Sequence, residues 1–151
     1  MSTTIQNHPD VRRTAVAALW TGMVLTVLAT AAPWIDRMTT GILAGHIRAG
    51  YPAYDPASID AAALAYLVIL SITGVLGIAG WIVTIVAARA GRRWARWLAT
   101  SLLAVGALVS VSGLTITDTS GDVGLAPAIA WLQVLPCTAG LIAVVLLWRR
   151  R

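Results

Sequence analysis

The stretch AAALAYLVILSITGVLGIAGWIVTIVAA, residues 61–88, decides the fold class of this 151-residue chain. It contains no charged side chain over 28 consecutive residues. A helix needs about 20 apolar residues to cross roughly 30 Å of hydrocarbon, because each residue adds about 1.5 Å. A strand is excluded, because an open sheet would leave unpaired backbone groups in lipid and a barrel strand would alternate in polarity. The stretch therefore predicts a transmembrane helix.

Three further segments share this apolar character. The chain is 58% hydrophobic and only 11% charged, with a mean hydropathy of +0.81, which does not suit a soluble domain. Helices are predicted over about residues 14–34, 58–89, 96–117 and 123–148. We therefore predict an all-α integral membrane protein, in which one domain, residues 1–151, forms an antiparallel bundle of four transmembrane helices.

The arginines predict which loops lie inside the cell. The chain has eleven arginines and six aspartates, with no lysine and no glutamate. Nine arginines precede the first predicted helix, lie between the second and third, or follow the fourth, whereas the other two loops hold five aspartates. Cytoplasmic loops retain arginine during insertion, so both termini and the turn between the second and third helices are predicted to lie inside. This placement also accounts for the pI near 10.7, and no nucleic-acid partner is expected.

The N-terminal segment has a second interpretation. Arg12 and Arg13, the apolar run after them and the triplet Ala29-Thr30-Ala31 together resemble a cleaved signal peptide. The apolar run is longer than the hydrophobic region of a typical signal peptide, which favours an uncleaved first helix.

The first outer loop is predicted to contain a short amphipathic helix, because apolar residues recur with helical spacing between Asp36 and Arg48. Asp55 and Pro56 then suit the N-cap and the first position of the second transmembrane helix. The loop also carries a candidate outer-loop site formed by His46, Tyr51, Tyr54 and Asp55. A histidine beside an aspartate can act as a base or bind a metal, although this set lacks metal-ligand spacing. The alternative is a solvated loop with the tyrosines at the membrane interface.

The inner turn carries four arginines, Arg89, Arg92, Arg93 and Arg96. Their offsets of three, four and seven would place them on one face if the turn were helical. One interpretation is a contact for anionic lipids at the inner face of the bilayer. The other is a topology anchor flanked by interfacial tryptophans.

The segment Ala90-Gly91-Arg92-Arg93-Trp94-Ala95-Arg96 resembles the inner turn of many uncharacterised small four-helix membrane proteins of high-GC Gram-positive bacteria. Arginine without lysine, beside abundant alanine, valine and leucine, is also typical of a GC-rich bacterial genome. The resemblance implies a multi-pass protein of the bacterial plasma membrane and assigns it no activity.

Small residues within each span predict close helix packing, because helices in lipid associate through packing and interhelical hydrogen bonds. The glycines of the second span drift around the helix, so they can face either the bundle or a second copy. In the fourth span, Pro136 removes one backbone hydrogen bond and predicts a bend, and the Gln133 side chain can satisfy the freed carbonyl group. Gln133, Pro136 and Cys137 then form either part of a ligand cavity or hinge, or a packed kink.

The apolar cores of the predicted spans contain no charged residue and no histidine, which argues against ion-coupled transport and haem binding, so no cofactor is expected.

The leading interpretation is a non-enzymatic accessory or structural subunit that contacts the lipid bilayer and a membrane-protein partner or a second copy. The alternatives are a transporter or lipid-binding component with a cavity near the kinked helix, and a membrane enzyme with an outer-loop site. A polar cavity that reaches Gln133 would favour the transporter, whereas convergence of His46 with Asp55 or Asp60 would favour the enzyme.

Overall fold

The computed structural model of the protein describes residues 8–149 and contains five α-helices over that range. In chain order they are α1 (His8–Met38), α2 (Ile42–Gly50), α3 (Pro56–Arg89), α4 (Ala95–Thr115) and α5 (Pro127–Trp148). Four of them, α1, α3, α4 and α5, are long and apolar enough to cross a membrane. The prediction of an all-helical chain with four such helices is therefore confirmed.

The four long helices pack as a bundle in the order α1, α3, α4, α5, with α5 closing the ring against α1. Residues from the start of α1 and α4 and from the end of α3 and α5 share one buried cluster, so neighbours in the ring are antiparallel. The contact between α1 and α5 is the most extensive in the bundle, whereas α3 and α4 make the least extensive contact of the four neighbouring pairs. A cleft therefore remains between α3 and α4.

At one end of the bundle, small side chains bring all four long helices together. Ala15 of α1, Ala88 of α3, Ala95 of α4 and Leu147 of α5 belong to one buried cluster. Alanine allows helix backbones to approach closely in lipid, where packing rather than water exclusion holds helices together. This end is called the arginine end below, after its described arginines Arg13, Arg89, Arg92, Arg93, Arg96 and Arg149.

The opposite end, called the loop end, is covered by α2. Leu43 and Ile47 of α2 are buried in a cluster with Ile59 of α3 and with Leu125 and Ile129 near the start of α5. The short helix thus contributes its apolar face to the bundle and joins two long helices that are not neighbours in the ring.

The start of α2 is determined by the end of α1. The first helix continues to Met38, beyond the predicted limit at residue 34. The chain then reverses through Gly41, whose φ of 62° lies in the left-handed region that glycine tolerates. The Asp36 carboxylate accepts hydrogen bonds from the backbone N–H groups of Ile42 and Leu43, at 2.8 and 3.0 Å. These bonds satisfy two donors that the first turn of a helix leaves unpaired.

The loop between α4 and α5 is longer than the sequence patterns indicate. Thr117 and Val123 pair as an isolated antiparallel bridge, and the Asp118 N–H donates to the Asp122 carbonyl oxygen over 2.9 Å. This hairpin-like loop occupies residues 116–126, so α5 begins at Pro127 rather than at residue 123. Proline suits the first helical position because it has no N–H to leave unpaired.

The glycines of α3 all face other helices of the bundle. A Cβ atom on Gly74 would overlap the Thr30 side chain of α1, and one on Gly77 would lie 3.3 Å from Thr26 Cγ2. A Cβ atom on Gly80 would lie 2.8 Å from a methyl carbon of Leu102 in α4. Of the two predicted environments, the bundle interior is therefore the one observed, and these glycines allow α3 to approach its neighbours closely.

Candidate functional site

A cavity of about 230 Å³ lies inside the bundle, behind the cleft between α3 and α4. Its lining runs along α4 from Ala99, near the arginine end, to Ser110, which corresponds to about 16 Å at the helical rise of about 1.5 Å per residue. Leu76 of α3 and Val105 of α4 line it and are also 66% and 59% exposed. These two side chains therefore mark the edge of an opening towards the surface that lipid would cover.

Small side chains create this space. Gly77 of α3 and Ala99 and Gly106 of α4 line the cavity, and their small size limits how far their side chains project into it. A Cβ atom on Gly106 would meet only Cys137 Sγ, at 3.5 Å, which is ordinary van der Waals contact. The cavity thus follows from residue choice at facing positions of α3 and α4.

The Trp81 indole of α3 forms one wall of the cavity. Its Nε1–H donates a hydrogen bond to Thr26 Oγ1 of α1 over 2.8 Å, and Thr26 Oγ1 in turn donates to the Gly22 carbonyl oxygen over 2.8 Å. The ring lies against Gly22, where any Cβ atom would overlap it. Trp81 is therefore held in one orientation by a satisfied hydrogen-bond chain rather than by packing alone.

Gln133, Pro136 and Cys137 of α5 all line the cavity. The partner of Gln133 differs from the predicted one. Its Nε2 donates to the Ala29 carbonyl oxygen of α1 over 3.2 Å, not to the carbonyl group that Pro136 frees in its own helix. Ala29 precedes Pro33 by four residues, so its carbonyl has no helical N–H to accept from. The sequence already held the indication of this free carbonyl group, because Pro33 lies within the apolar run of the first predicted helix.

The part of α5 around Pro136 is also tied to α4. The Ser110 hydroxyl donates to the Gln133 carbonyl oxygen over 3.1 Å and lies 3.5 Å from Cys137 Sγ. Ser110 is only 6% exposed, so this bond closes the loop-end side of the cavity. The polar groups on the wall are thus hydroxyl, amide, indole and thiol groups, and none of the described residues that line the cavity is charged or a histidine. A mainly apolar chamber of this kind suits an apolar occupant.

The candidate residues between α1 and α3 separate into two groups. His46 Nε2 lies 2.6 Å from the Val123 carbonyl oxygen, and the Tyr51 hydroxyl lies 2.7 Å from Thr119 Oγ1. Both therefore hold α2 against the loop between α4 and α5. The Tyr54 ring stacks on Tyr51 with a centroid distance of 4.7 Å.

Asp55 and Asp60 have other partners. The Asp55 carboxylate accepts a hydrogen bond from the Ser58 N–H over 3.1 Å, which confirms the predicted N-cap of α3. Hydrogen bonds from the Ser58 hydroxyl and, to a smaller extent, its N–H lower the pKa of Asp55. Asp60 forms an ion pair with Arg37 at 2.9 Å. His46 is hydrogen-bonded to neither aspartate, so the convergence that would favour an enzyme is not observed.

Asp118 is a loop-end residue that the sequence patterns did not single out. Its carboxylate accepts from the N–H and the hydroxyl of Ser120, and these bonds lower its pKa, with smaller contributions from Tyr51 and His46. An aspartate two residues before a serine and three before Gly121 is a turn signal, so it could have been found. No group of three His, Cys, Asp or Glu residues that could hold a metal occurs among the described residues.

At the arginine end, the turn between α3 and α4 is not helical. Residues 90–94 form a turn with Gly91 at a φ of 70°, so its arginines do not share one helix face. The Arg96 guanidinium lies over the Trp148 ring at 4.8 Å, a cation–π contact that joins α4 to α5. Arg92 and Arg93 remain exposed.

The structure therefore offers an apolar chamber between the helices, a hydrogen-bonded loop end and an arginine end with exposed charge. No protein-family model, curated protein or solved structure matches this chain.

Proposed function

We propose that this protein is a non-enzymatic lipid-binding component of the bacterial plasma membrane, in which the cavity between α3 and α4 takes up one acyl chain from the bilayer. The observation that carries this function is the chamber of about 230 Å³ with its opening between two membrane-length helices. The arginine end faces the cytoplasm in this proposal, because nine of the eleven arginines belong to that side in the sequence.

The size and lining of the cavity support an acyl chain as its occupant. An engineered apolar cavity of about 150 Å³ stays dry and binds benzene, so the present cavity of about 230 Å³ accommodates a larger apolar group. Its extent of about 16 Å along α4 suits a chain rather than a compact ring. A chain that is already in the bilayer can enter sideways without crossing water.

The lining also supports binding rather than ion-coupled transport. Carriers that use a proton or cation place an ionisable carboxylate, histidine or basic residue on the pathway. Within residues 8–149, none of these residue types lines the cavity. We therefore assign the protein an accessory role, in which a bound lipid or a membrane partner uses the cavity and no covalent step takes place.

Photo-crosslinking tests this function. The purified protein in nanodiscs is exposed to a phospholipid with a diazirine in the middle of one acyl chain, irradiated, and mapped by mass spectrometry. Labels are expected on cavity residues such as Cys137 and Gly106. The Val109→Trp substitution, at the opening, should reduce labelling of those residues about tenfold by filling the entrance.

Val111→Trp is the matched control, because Val111 lies in the same helix and is exposed but does not line the cavity. It should leave cavity labelling within about twofold of the original level. Labels confined to outward-facing residues, or equal labelling in the two variants, would show that the chamber takes up no lipid chain.

A further inference from the structure

We infer that the lipid taken up by the cavity is an anionic phospholipid, whose phosphate group is held by the arginine turn (residues 89–96) while one acyl chain occupies the chamber. This rests on the proposed function, because it names the class of lipid that the same cavity binds. Three observations carry it: where the turn lies, how its charge is distributed, and how firmly its backbone is held.

The arginine turn lies at the end of the cleft that opens into the cavity. It joins α3 and α4, the two helices whose exposed side chains form the opening. The lining residues nearest to it are Thr84 and Ala99, which lie five residues before Arg89 and three after Arg96. At the helical rise of about 1.5 Å per residue, these intervals correspond to about 7.5 and 4.5 Å along the bundle.

That spacing matches the layout of a phospholipid. The headgroup layer adds about 5–7 Å to each side of a hydrocarbon core of about 30 Å, within a bilayer of about 40–45 Å. A phosphate beside the arginine turn would therefore lie one headgroup layer away from the first lining residues of the cavity. Thr84 and Ala99 are themselves buried, so the acyl chain would run between α3 and α4 to the opening at Leu76 and Val105. The opening lies 13 residues from Arg89 and 9 from Arg96, or about 20 and 13 Å along the helices.

The charge of this region is positive and largely uncompensated. Nine arginines belong to this side in the sequence, against Asp10 alone among the six aspartates. Within the described residues, the side chains of Arg92 and Arg93 are exposed and form no hydrogen bond or ion pair. The ion pair between Arg37 and Asp60 lies at the opposite, loop end. Arginine presents several N–H donors to phosphate oxygens, so an anionic headgroup complements both the charge and the donors.

The backbone of the turn is firmly held, which reduces the entropy lost when a ligand binds. The N–H of Arg92 donates to the Ala87 carbonyl oxygen over 3.0 Å, and that of Gly91 to the Ala88 carbonyl oxygen over 3.2 Å. This pair of bonds, with Gly91 in the left-handed conformation, is the Schellman arrangement that ends a helix. Arg92 and Arg93 therefore project from a defined turn rather than from a flexible loop.

The test compares two photo-crosslinking lipids that differ only in the headgroup. Nanodiscs receive equal amounts of phosphatidylglycerol or phosphatidylcholine, each with the diazirine in the same acyl chain. Phosphatidylglycerol should label the cavity residues about tenfold more than phosphatidylcholine. Raised salt should weaken this preference, because it screens exposed charges.

The Arg92→Gln and Arg93→Gln substitutions, made together, should bring the labelling ratio close to one without lowering the labelling by phosphatidylcholine. Arg48→Gln is the matched control, because Arg48 is also exposed but lies in α2 at the loop end. It should leave the ratio unchanged. Arg96 is left intact, because its contact with Trp148 joins two helices.

The outcomes separate the two proposals. Equal labelling by the two lipids in the unchanged protein, or a preference that survives the double substitution, overturns the headgroup inference and leaves the chain-binding function standing. If neither lipid labels the cavity residues in the unchanged protein, both proposals are overturned.

Discussion

The side-chain amide of Gln133 in α5 donates a hydrogen bond over 3.2 Å to the carbonyl oxygen of Ala29 in α1. That carbonyl group is available because Pro33, four residues later, has no N–H to offer it. A polar side chain from one helix thus repairs the backbone of another, within the most extensive helix contact of the bundle. The bond also fixes one wall of the proposed lipid cavity.

Replacing Gln133 by leucine should lower the free energy of unfolding by about 0.6 to 1.7 kcal/mol, the range typical of interhelical hydrogen bonds in membranes. In a Pro33→Ala background the loss should be smaller, because an alanine at position 33 supplies the missing N–H to Ala29. Both costs can be measured by unfolding in mixed micelles with increasing dodecyl sulfate. The same cost in the two backgrounds would contradict this account of the pairing.

Replacing Gly74 by alanine should destabilise the bundle by about 1–3 kcal/mol, because the added methyl group would overlap Thr30 across the contact between α1 and α3. Gly106→Ala is the comparison, since its methyl group would meet Cys137 Sγ at an ordinary 3.5 Å. It should be neutral or slightly stabilising, because alanine favours a helix. Thermal unfolding in detergent tests both variants, and a reversed order of stability would contradict the packing described here.

The pKa of Asp118 lies below its ordinary value of 3.8, chiefly because the charged carboxylate accepts hydrogen bonds from Ser120. A lowered pKa means that this stabilisation of the 116–126 loop is complete above pH 3.8 and is lost as the pH falls through the lower, folded-state value. Ser120→Ala should raise the pKa towards 3.8, since the hydroxyl bond disappears while the backbone bond remains. Nuclear magnetic resonance of the Asp118 carboxyl carbon measures it, and an unchanged titration would refute the assigned cause.

The proposed orientation predicts which loops react with a membrane-impermeant maleimide on intact bacterial cells. In a Cys137→Ser background, which removes the natural thiol, Ala53→Cys should react at once because it is exposed in the loop between α2 and α3. Ala90→Cys, exposed in the arginine turn, should react only after the membrane is permeabilised. The opposite pattern would place the arginine end outside.

Sequence patterns predicted the structure correctly where a single segment of the chain determines it. The apolar run of residues 61–88 predicted its helix because length and polarity alone determine whether a segment can cross lipid. Asp55 predicted the start of α3 because its carboxylate bonds to an N–H only three residues away. The loop after α4 was predicted too short, because Thr117 and Val123 are apolar enough in context to continue a helical pattern, yet they pair with each other.

The hydrogen-bond partners of the candidate site residues could not be predicted from sequence patterns within one segment. Gln133 was expected to serve the carbonyl group freed in its own helix, but its acceptor lies 104 residues away in the chain. His46 was grouped with the acidic residues of its own loop, yet it meets the Val123 carbonyl of a distant loop. Which polar groups meet in space depends on how the helices are rotated against one another.

By itself, the sequence determined that this chain forms four helices of membrane-crossing length, and where one of them is capped. Only the tertiary structure decided that Gly77, Ala99 and Gly106 face a common space and leave a cavity between α3 and α4. The physical reason is that lipid surrounds an apolar helix evenly. No contrast between a polar and an apolar face then sets the rotation of the helix, so side-chain packing and a few interhelical hydrogen bonds set it instead.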